Sequence, residues 1–327
     1  MTLALPTTLL RARTAVEPAL HAAVDRLDPE SRRLARYHLD CGGKAVRPAL
    51  ALLSARAVGA DESIAVPGAV AVELVHNFSL VHDDLMDGDV ERRHRPTVWA
   101  LHGAAAAILC GDAMLALATQ VLLDVGTLDA IEAARQLAAA TQDLIRGQHA
   151  DLDFEQRRYV GVDECLAMAA GKTGALLACS AAIGAVLAGA PAATVRALST
   201  YGAELGLSFQ LVDDLLGIWG DAATTGKPVG SDLRARKKSL PVAFALADGG
   251  PASTELARWL ATEGPDSDDD VDRAADLVQA AGGRAWAAEE ATRRLALAES
   301  ALAEVALDRD AVDELVALGR FVVSRDA

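Results

Sequence analysis

The chain has 327 residues, 52% of them hydrophobic and 24% charged, with 46 Asp and Glu against 31 Lys and Arg and a formal net charge of -15. So acidic a balance excludes a nucleic-acid-binding surface, which needs clustered positive charge, but not a small anionic substrate held by local cations or a metal. Four scattered cysteines without ligand spacing (Cys41, Cys110, Cys165, Cys179), and an opening with no basic residue before its short apolar run, point to a reducing cytoplasm.

No window of 18 or more apolar residues lacks a charge, proline or polar break, so no membrane span is expected. Alanine and leucine dominate, with only 4% aromatics, and nearly every segment reads as helix. Residues 7–27 and 29–40 are expected to form two amphipathic helices, the second started by Asp28-Pro29. A glycine turn with two cations follows, Gly42-Gly43-Lys44-Ala45-Val46-Arg47-Pro48. Its backbone amides and cations suit an anion.

Helix 66–87 ends in Asp83-Asp84-Leu85-Met86-Asp87. At about 100° per residue, Asp83 and Asp87 lie about 40° apart and share a face with His76. Leu74, Val75, Phe78, Val81 and Leu85 take the packing face. Carboxylates aligned on a helix suit a hard divalent ion such as magnesium, which often bridges carboxylates to a substrate phosphate. An acidic run is more often a solvated face, but here Arg92, Arg93 and Arg95 follow in a loop closed by Pro96, and a second aspartate pair comes later. Residues 98–125 form one or two helices, 128–150 another ending in Gly147-Gln148-His149-Ala150-Asp151, and a further helix from Val162 carries Lys172-Thr173 between two glycines.

Helix 192–219 holds Gln210, Asp213 and Gly217 within about 60° of arc, with Asp214 at the edge. Two adjacent aspartates in so apolar a run are costly to bury without a counter-ion, and a metal is the simplest one. The basic, glycine-rich stretch 225–241 contains Lys227, Lys237 and Lys238 and reads as a mobile flap that brings cations to a phosphate. Residues 249–272 read as loop, with Asp268, Asp269 and Asp270 on the surface, and charged helices 271–305 and 310–324 complete the chain. With no linker of useful length, residues 1–327 are expected to form one domain.

The order of these motifs resembles the trans-isoprenyl diphosphate synthase (polyprenyl synthetase) family over about residues 30–325. It rests on Gly43-Lys44-x-x-Arg47-Pro48, Asp83-Asp84-x-x-Asp87 with Arg92-Arg93, Gly147-Gln148-x-x-Asp151, Lys172-Thr173, Gln210-x-x-Asp213-Asp214, Lys227 and Lys237. The resemblance implies an all-α bundle around a deep central cavity, usually a homodimer. It also implies magnesium-dependent head-to-tail condensation of isopentenyl diphosphate with an allylic diphosphate (dimethylallyl, geranyl or farnesyl). By the same resemblance Asp83, Asp87 and Asp213 look like ligands of magnesium, three ions in the loaded enzyme, with Asp84 and Asp214 in support. Arg92, Lys172, Lys227 and Lys237 resemble the grip on the allylic diphosphate. Lys44, Arg47, His76 and Arg93 look like the isopentenyl diphosphate site, and Thr173 and Gln210 like polar groups beside the allylic cation.

Three departures stand out: Ala45 where an arginine is frequent, Gly217 where a third aspartate is usual, and Arg236 where a glycine is often found. The closest resemblance is to geranylgeranyl diphosphate synthases, through the aromatic Phe78 with Ser79 just before the first motif and no insertion within it. Farnesyl and longer products are the alternatives for the same chemistry. A terpene cyclase is disfavoured because its second metal motif is missing, and a metal phosphohydrolase because no upstream histidine pair accompanies His82-Asp83. A non-catalytic subunit of a heteromeric synthase remains a rival, although this chain keeps both aspartate pairs.

Overall fold

The computed structural model describes residues 7–221, 229–262 and 267–324. The first half carries α1 (Thr7–Val24), α2 (Pro29–Leu39), α3 (Val46–Ala57), α4 (Val66–Met86), α5 (Val98–His102), α6 (Ala104–Leu123) and α7 (Leu128–Gln156). The second carries α8 (Val162–Ala169), α9 (Ala175–Leu187), α10 (Ala192–Trp219), α11 (Ser231–Arg234) and α12 (Leu240–Ala247). It ends with α13 (Pro251–Leu260), α14 (Asp268–Ala280), α15 (Gly283–Leu302) and α16 (Arg309–Val323). The only sheet among the described residues is a hairpin of β1 (Glu91–Arg92) and β2 (Arg95–Pro96). The all-α fold class follows.

The boundaries differ from expectation where backbone conformation, and not periodicity, sets them. Stretch 98–125 is two helices because Gly103 turns at φ 85°. The helix expected over 271–305 breaks at Gly282 (φ 82°). The loop expected over 249–272 contains α13, started by Pro251 at its first turn. Helix α7 runs on past Ala150 to Gln156.

Two compact units emerge. One comprises the described residues up to Thr141, with Leu176–Gly202 and Ala301–Leu318. The other comprises Gln142–Ala175, the described residues of Ala203–Ser300, and those from Gly319 on. Most crossings fall inside helices (α7, α10, α15 and α16), which is why composition offers no linker to mark them.

In the first unit α3, α4 and α9 pack with their backbones close. A Cβ on Gly184 would stand 2.1 Å from the Ala51 carbonyl, and Gly184 N donates to Ser54 Oγ at 3.0 Å. Helix α4 is therefore buried almost all round: between Gly68 and Val81 only Glu73, His76 and Leu80 rise above full burial. In the second unit the C-terminal half of α10 is the axis. Leu211, Leu215 and Leu216 pack with Met168, Leu240 and Ala287, and Ile218 joins Leu233, Val242, Leu256 and Val271.

A charged clamp closes the first unit. Glu314 Oε2 accepts from Thr8 Oγ1 (2.7 Å) and Arg11 Nη2 (2.8 Å), and Arg56 Nη2 stands 2.7 Å from Oε1. Burial pushes this carboxyl up, but hydrogen bonds from Thr8, Arg11 and Arg56 outweigh it and hold it down at about 2. A depressed carboxyl stabilises the fold above its unfolded pKa, and that contribution is lost as pH falls toward 2. Allowing for partial exposure, Glu314→Gln is expected to cost about 1–2 kcal/mol at pH 7. The gap to wild type should shrink by pH 3, as read by urea unfolding at the two pH values.

Candidate active site

In the first unit, Glu73, His76, Leu80 and Asp83 form one partly exposed stripe along α4, continued by the exposed Asp87; His82 and Leu85 near the helix end are partly exposed too. Spacings of three and four residues keep the stripe on one helical face, so the expected alignment of Asp83, Asp87 and His76 is present. Helix α4 ends here because Asp87 caps it, its N–H donating to the Asp83 carbonyl at 2.8 Å before Gly88 turns at φ 70°. Asp84 faces inward, 1% exposed, and accepts from Arg92 Nε at 2.6 Å. The three aspartates thus divide: Asp83 and Asp87 line the face, and Asp84 fixes Arg92.

Arg92 and Arg93 belong to the β1–β2 hairpin and not to an open loop. Arg93 (φ 53°) and His94 (φ 60°) form its two-residue turn, with positive φ at both positions as a type I′ turn requires. Neither is glycine, so the turn carries backbone strain of the kind found at functional sites. Arg93 reaches the glycine turn before α3, where a Cβ on Gly43 would stand 3.6 Å from its guanidinium. Arg13 Nη2 donates to the Gly43 carbonyl at 2.6 Å, a contact the sequence did not signal.

Around Arg47 the cations sit in a dry setting. Arg47 Nε is buried with no hydrogen-bond partner among the described residues. Burial raises the Glu73 carboxyl, against the pull of Arg47, Asn77 and Arg93. Burial first, then Arg47 and Arg93, holds His76 well below an ordinary imidazole, so it is neutral at pH 7. His38, pushed down to about 4 by burial and by Arg92 and Arg93, is neutral too. Glu73, Asn77 and His38 escaped the sequence reading because they carry no motif of their own. The residues expected to bind isopentenyl diphosphate stand on three adjoining segments, Lys44 and Arg47 at the start of α3, His76 on α4 and Arg93 in the hairpin.

In the second unit, a π-helical turn (Ala170–Gly174) interrupts the helix between α8 and α9 and carries Lys172 and Thr173. It lies against α7 so closely that a Cβ on Gly147 would be 2.2 Å from the Lys172 nitrogen. Lys172 Nζ meets Asp151 Oδ2 at 2.5 Å. Thr173 Oγ1 donates to Gln210 Oε1 (2.7 Å), and Gln210 Nε2 donates to Asp214 Oδ1 (2.8 Å). The Leu240 amide donates to Asp214 Oδ2 at 2.8 Å. Asp214 is 4% exposed, whereas Asp213 beside it is exposed. Burial raises Asp214 to about 7, with Lys237 opposing. Lys237 is itself pushed down by burial but carried above its ordinary value by Asp214, Asp232, Asp151 and Asp213.

Lys227 lies outside the described residues. From Val229 on, the stretch expected to be a mobile flap is tied down: Leu233 is fully buried, Lys237 N donates to the Asp232 carbonyl (2.9 Å), and Lys238 Nζ donates to the Glu155 carbonyl (3.2 Å). Arg236 adopts φ 54°, the conformation glycine takes freely, and its guanidinium stacks 3.9 Å from the Trp259 ring centroid. That stacking offsets the left-handed cost. Arg236→Ala, with strain and no stack, is expected to lose about 1–2 kcal/mol, and Arg236→Gly less than about 1 kcal/mol. Urea unfolding of the two variants separates these outcomes.

A cavity of about 650 Å³ opens between α7, α8 and α10, lined by Arg146, Ala150, Phe154, Met168 and Leu207. None of the carboxylates or lysines above line it.

No three His, Cys, Asp or Glu side chains among the described residues converge as a metal cage. A hard divalent ion that keeps several waters takes only one or two protein carboxylates beside substrate phosphates. Asp83 with Asp87, and the exposed Asp213, are hard oxygen donors of that kind.

A profile of the polyprenyl synthetase family matches residues 28–278. A farnesyl diphosphate synthase of Mycobacterium tuberculosis is 51% identical over 97% of this chain and 92% of its own length. A geranylgeranyl diphosphate synthase of the same species is 44% identical over 97% and 93%. The crystal structure of a polyprenyl synthetase from Streptomyces coelicolor superposes with a TM-score of 0.95 at 52% identity, covering 98% of this chain and 100% of that one.

Proposed function

We infer the reaction from one premise: this chain belongs to the polyprenyl synthetase family and is a prenyltransferase, a prenyl diphosphate synthase. Enzymes of that kind use a divalent metal. The reading is head-to-tail condensation of isopentenyl diphosphate with an allylic diphosphate, with magnesium as the metal and geranylgeranyl diphosphate as the product. One observation carries it. Asp83 and Asp87 end the same helical face as the neutral His76, beside a buried arginine, Arg47, whose Nε lacks a hydrogen-bond partner among the described residues.

Lys44, Arg47, His76 and Arg93 would hold isopentenyl diphosphate. His76, being neutral, contributes a hydrogen bond and not charge. Asp83, Asp87 and Asp213 would hold magnesium, three ions in the loaded state, and Arg92, Lys172, Lys227 and Lys237 the allylic diphosphate. Bound magnesium supplies Lewis-acid stabilisation of charge on the leaving diphosphate. The fixed lysines and arginines do the same from the protein side, where negative charge develops as the allylic C–O bond breaks. Thr173 and Gln210, held by their mutual hydrogen bond, would stand beside the allylic cation. The double bond of isopentenyl diphosphate attacks that cation, and the proton then lost passes to the departed diphosphate, so no histidine base is needed.

Phe78 supports the twenty-carbon product: it is 5% exposed and braced edge-on against His82, 5.6 Å between centroids. His82 is itself wedged against Gly111, where a Cβ would stand 2.2 Å away. Ser79 spends its hydroxyl on the His76 carbonyl (2.8 Å). A fifteen-carbon product is the second reading, favoured by the farnesyl synthase relative. Incubation with isopentenyl diphosphate and each allylic primer, with mass-spectrometric sizing of the alcohols, separates them. A twenty-carbon alcohol supports the first, and a fifteen-carbon stop overturns it. No elongation with any primer would favour the non-catalytic subunit.

A homodimer is part of this reading. Helix α6 exposes Ile108 (44%), Leu109 (63%) and Leu123 (49%), and α7 follows with Leu128 (84%) and Ile131 (54%), an apolar face suited to a second copy. By length and composition three helical stretches would reach across a membrane, Glu62–Met86, Ala104–Leu123 and Val162–Leu187. The first and third windows are 67% buried in the fold, and the α6 window is 39% buried, which the second copy accounts for. Four free cysteines support a reducing, cytoplasmic setting. The family match crosses both units, which supports a single domain.

A further inference from the structure

Arg92 and Arg93 stand on the hairpin β1–β2, and little inside that hairpin accounts for its shape. Each strand has two residues, and so short a hairpin is marginal on its own in water. Its turn sets Arg93 (φ 53°) and His94 (φ 60°) in the left-handed region, which costs residues other than glycine free energy. Pro96, the partner of Glu91, has no N–H to give to the ladder. A conformation of this kind persists only where its surroundings over-determine it.

Neighbouring chain supplies part of that support. Arg92 is bonded to Asp84, and Thr97 Oγ1 (2.8 Å) and Trp99 Nε1 (2.7 Å) both donate to the Asp89 carbonyl. The second strand is met from α2. Tyr37 Oη donates to the Pro96 carbonyl at 2.7 Å, and Arg95 lies over the same ring, its Cζ 4.5 Å from the centroid. His102 on α5 meets that ring edge-on, 6.2 Å between centroids. One side chain thus touches both residues of β2 and ties the hairpin to a helix 59 residues earlier in the chain.

We propose that Tyr37 is a positioning residue for substrate binding: its hydroxyl on Pro96 and its ring under Arg95 hold the strained hairpin in the shape that sets Arg92 and Arg93 in place. This rests on the reading of those arginines as binding residues for the two diphosphates. Without the brace a smaller fraction of molecules carries both arginines in place, and apparent affinity falls by that fraction. Saturating substrate draws the hairpin back, so KM moves and kcat holds.

The test compares Tyr37→Phe, Tyr37→Leu, His94→Gly and the combined Tyr37→Phe/His94→Gly with wild type. Steady-state kinetics give kcat and KM for each substrate, and calorimetry gives the affinity of the substrate-free protein for inorganic diphosphate. Tyr37→Phe, which removes only the hydroxyl, should raise both KM values and the diphosphate Kd about fivefold, with kcat within about twofold. Tyr37→Leu, which removes the stacking too, should raise them about 20-fold. The His94 side chain is 85% exposed, so its loss removes little contact, and glycine takes the turn conformation freely. The combined variant should therefore return to within about twofold of wild type, a rescue that a merely structural role of Tyr37 would not give.

Unchanged KM values in Tyr37→Leu would overturn the proposal. So would a rise in one KM alone, or a combined variant no better than Tyr37→Phe. If wild type fails to elongate with any primer, the reaction falls and diphosphate affinity decides for Tyr37. A weakening in Tyr37→Phe that His94→Gly restores keeps Tyr37 in its role, and an unchanged affinity removes it. A wild-type protein that binds no diphosphate overturns both.

Discussion

Asp83→Ala is expected to lower kcat by about 10²–10³-fold, because on the proposed reading it removes a group that would hold the metal stabilising the leaving diphosphate. Its side chain is partly exposed and its helix is anchored by buried neighbours such as Phe78, Val81 and Asp84, so the fold should tolerate the change. Asp84 gives the contrast. It is 1% exposed and bonded to Arg92, and Asp84→Ala leaves that arginine without its anion, at a cost of about 3 kcal/mol or more in stability. Steady-state kinetics with urea unfolding on both variants reads the division of labour. If Asp83→Ala keeps wild-type kcat, Asp83 is not at the reacting diphosphate.

Arg47→Met is expected to raise KM for isopentenyl diphosphate by about 100-fold, the effect of losing about 2.8 kcal/mol from a desolvated charge pair. KM for the allylic substrate should hold within about threefold if Arg47 serves isopentenyl diphosphate alone, as proposed. Arg47→Lys should recover only part of the loss, because an ammonium cannot reproduce a planar fork. Glu73 complicates the variant: its buried carboxyl loses the cation that opposes its desolvation. Arg47→Met/Glu73→Gln removes that side effect and should retain the selective rise in KM. Equal rises for both substrates would contradict the assignment of Arg47 to one of them.

Helix content and the alignment of Asp83, Asp87 and His76 were legible because the apolar repeat around them is strong and the polar residues interrupt it in step. The shared arc of Gln210 and Asp213, with Asp214 at its edge, was legible for the same reason, whereas the hydrogen bond from Gln210 to Asp214 was not. What the sequence hid lies in backbone conformation and in contacts across chain distance. The π turn that sets Lys172 and Thr173 has no periodic signature, and Gly147, whose backbone it lies against, stands on another helix. Arg236 looked like a missing glycine, yet it keeps the glycine conformation by stacking on Trp259, 23 residues on. Arg92 and Arg93 read as cations of an open loop, but a hairpin holds them and turns them apart, one to Asp84 and one toward Gly43.

The most direct test of the account is elongation by metal-stripped protein given isopentenyl diphosphate and geranyl or farnesyl diphosphate, before and after magnesium is restored. No product is expected without metal, and with it a chain longer by whole five-carbon units together with one free diphosphate per bond formed. Magnesium-dependent loss of the allylic diphosphate without chain growth would contradict it, since the cationic site around Arg47 would then hold no second substrate.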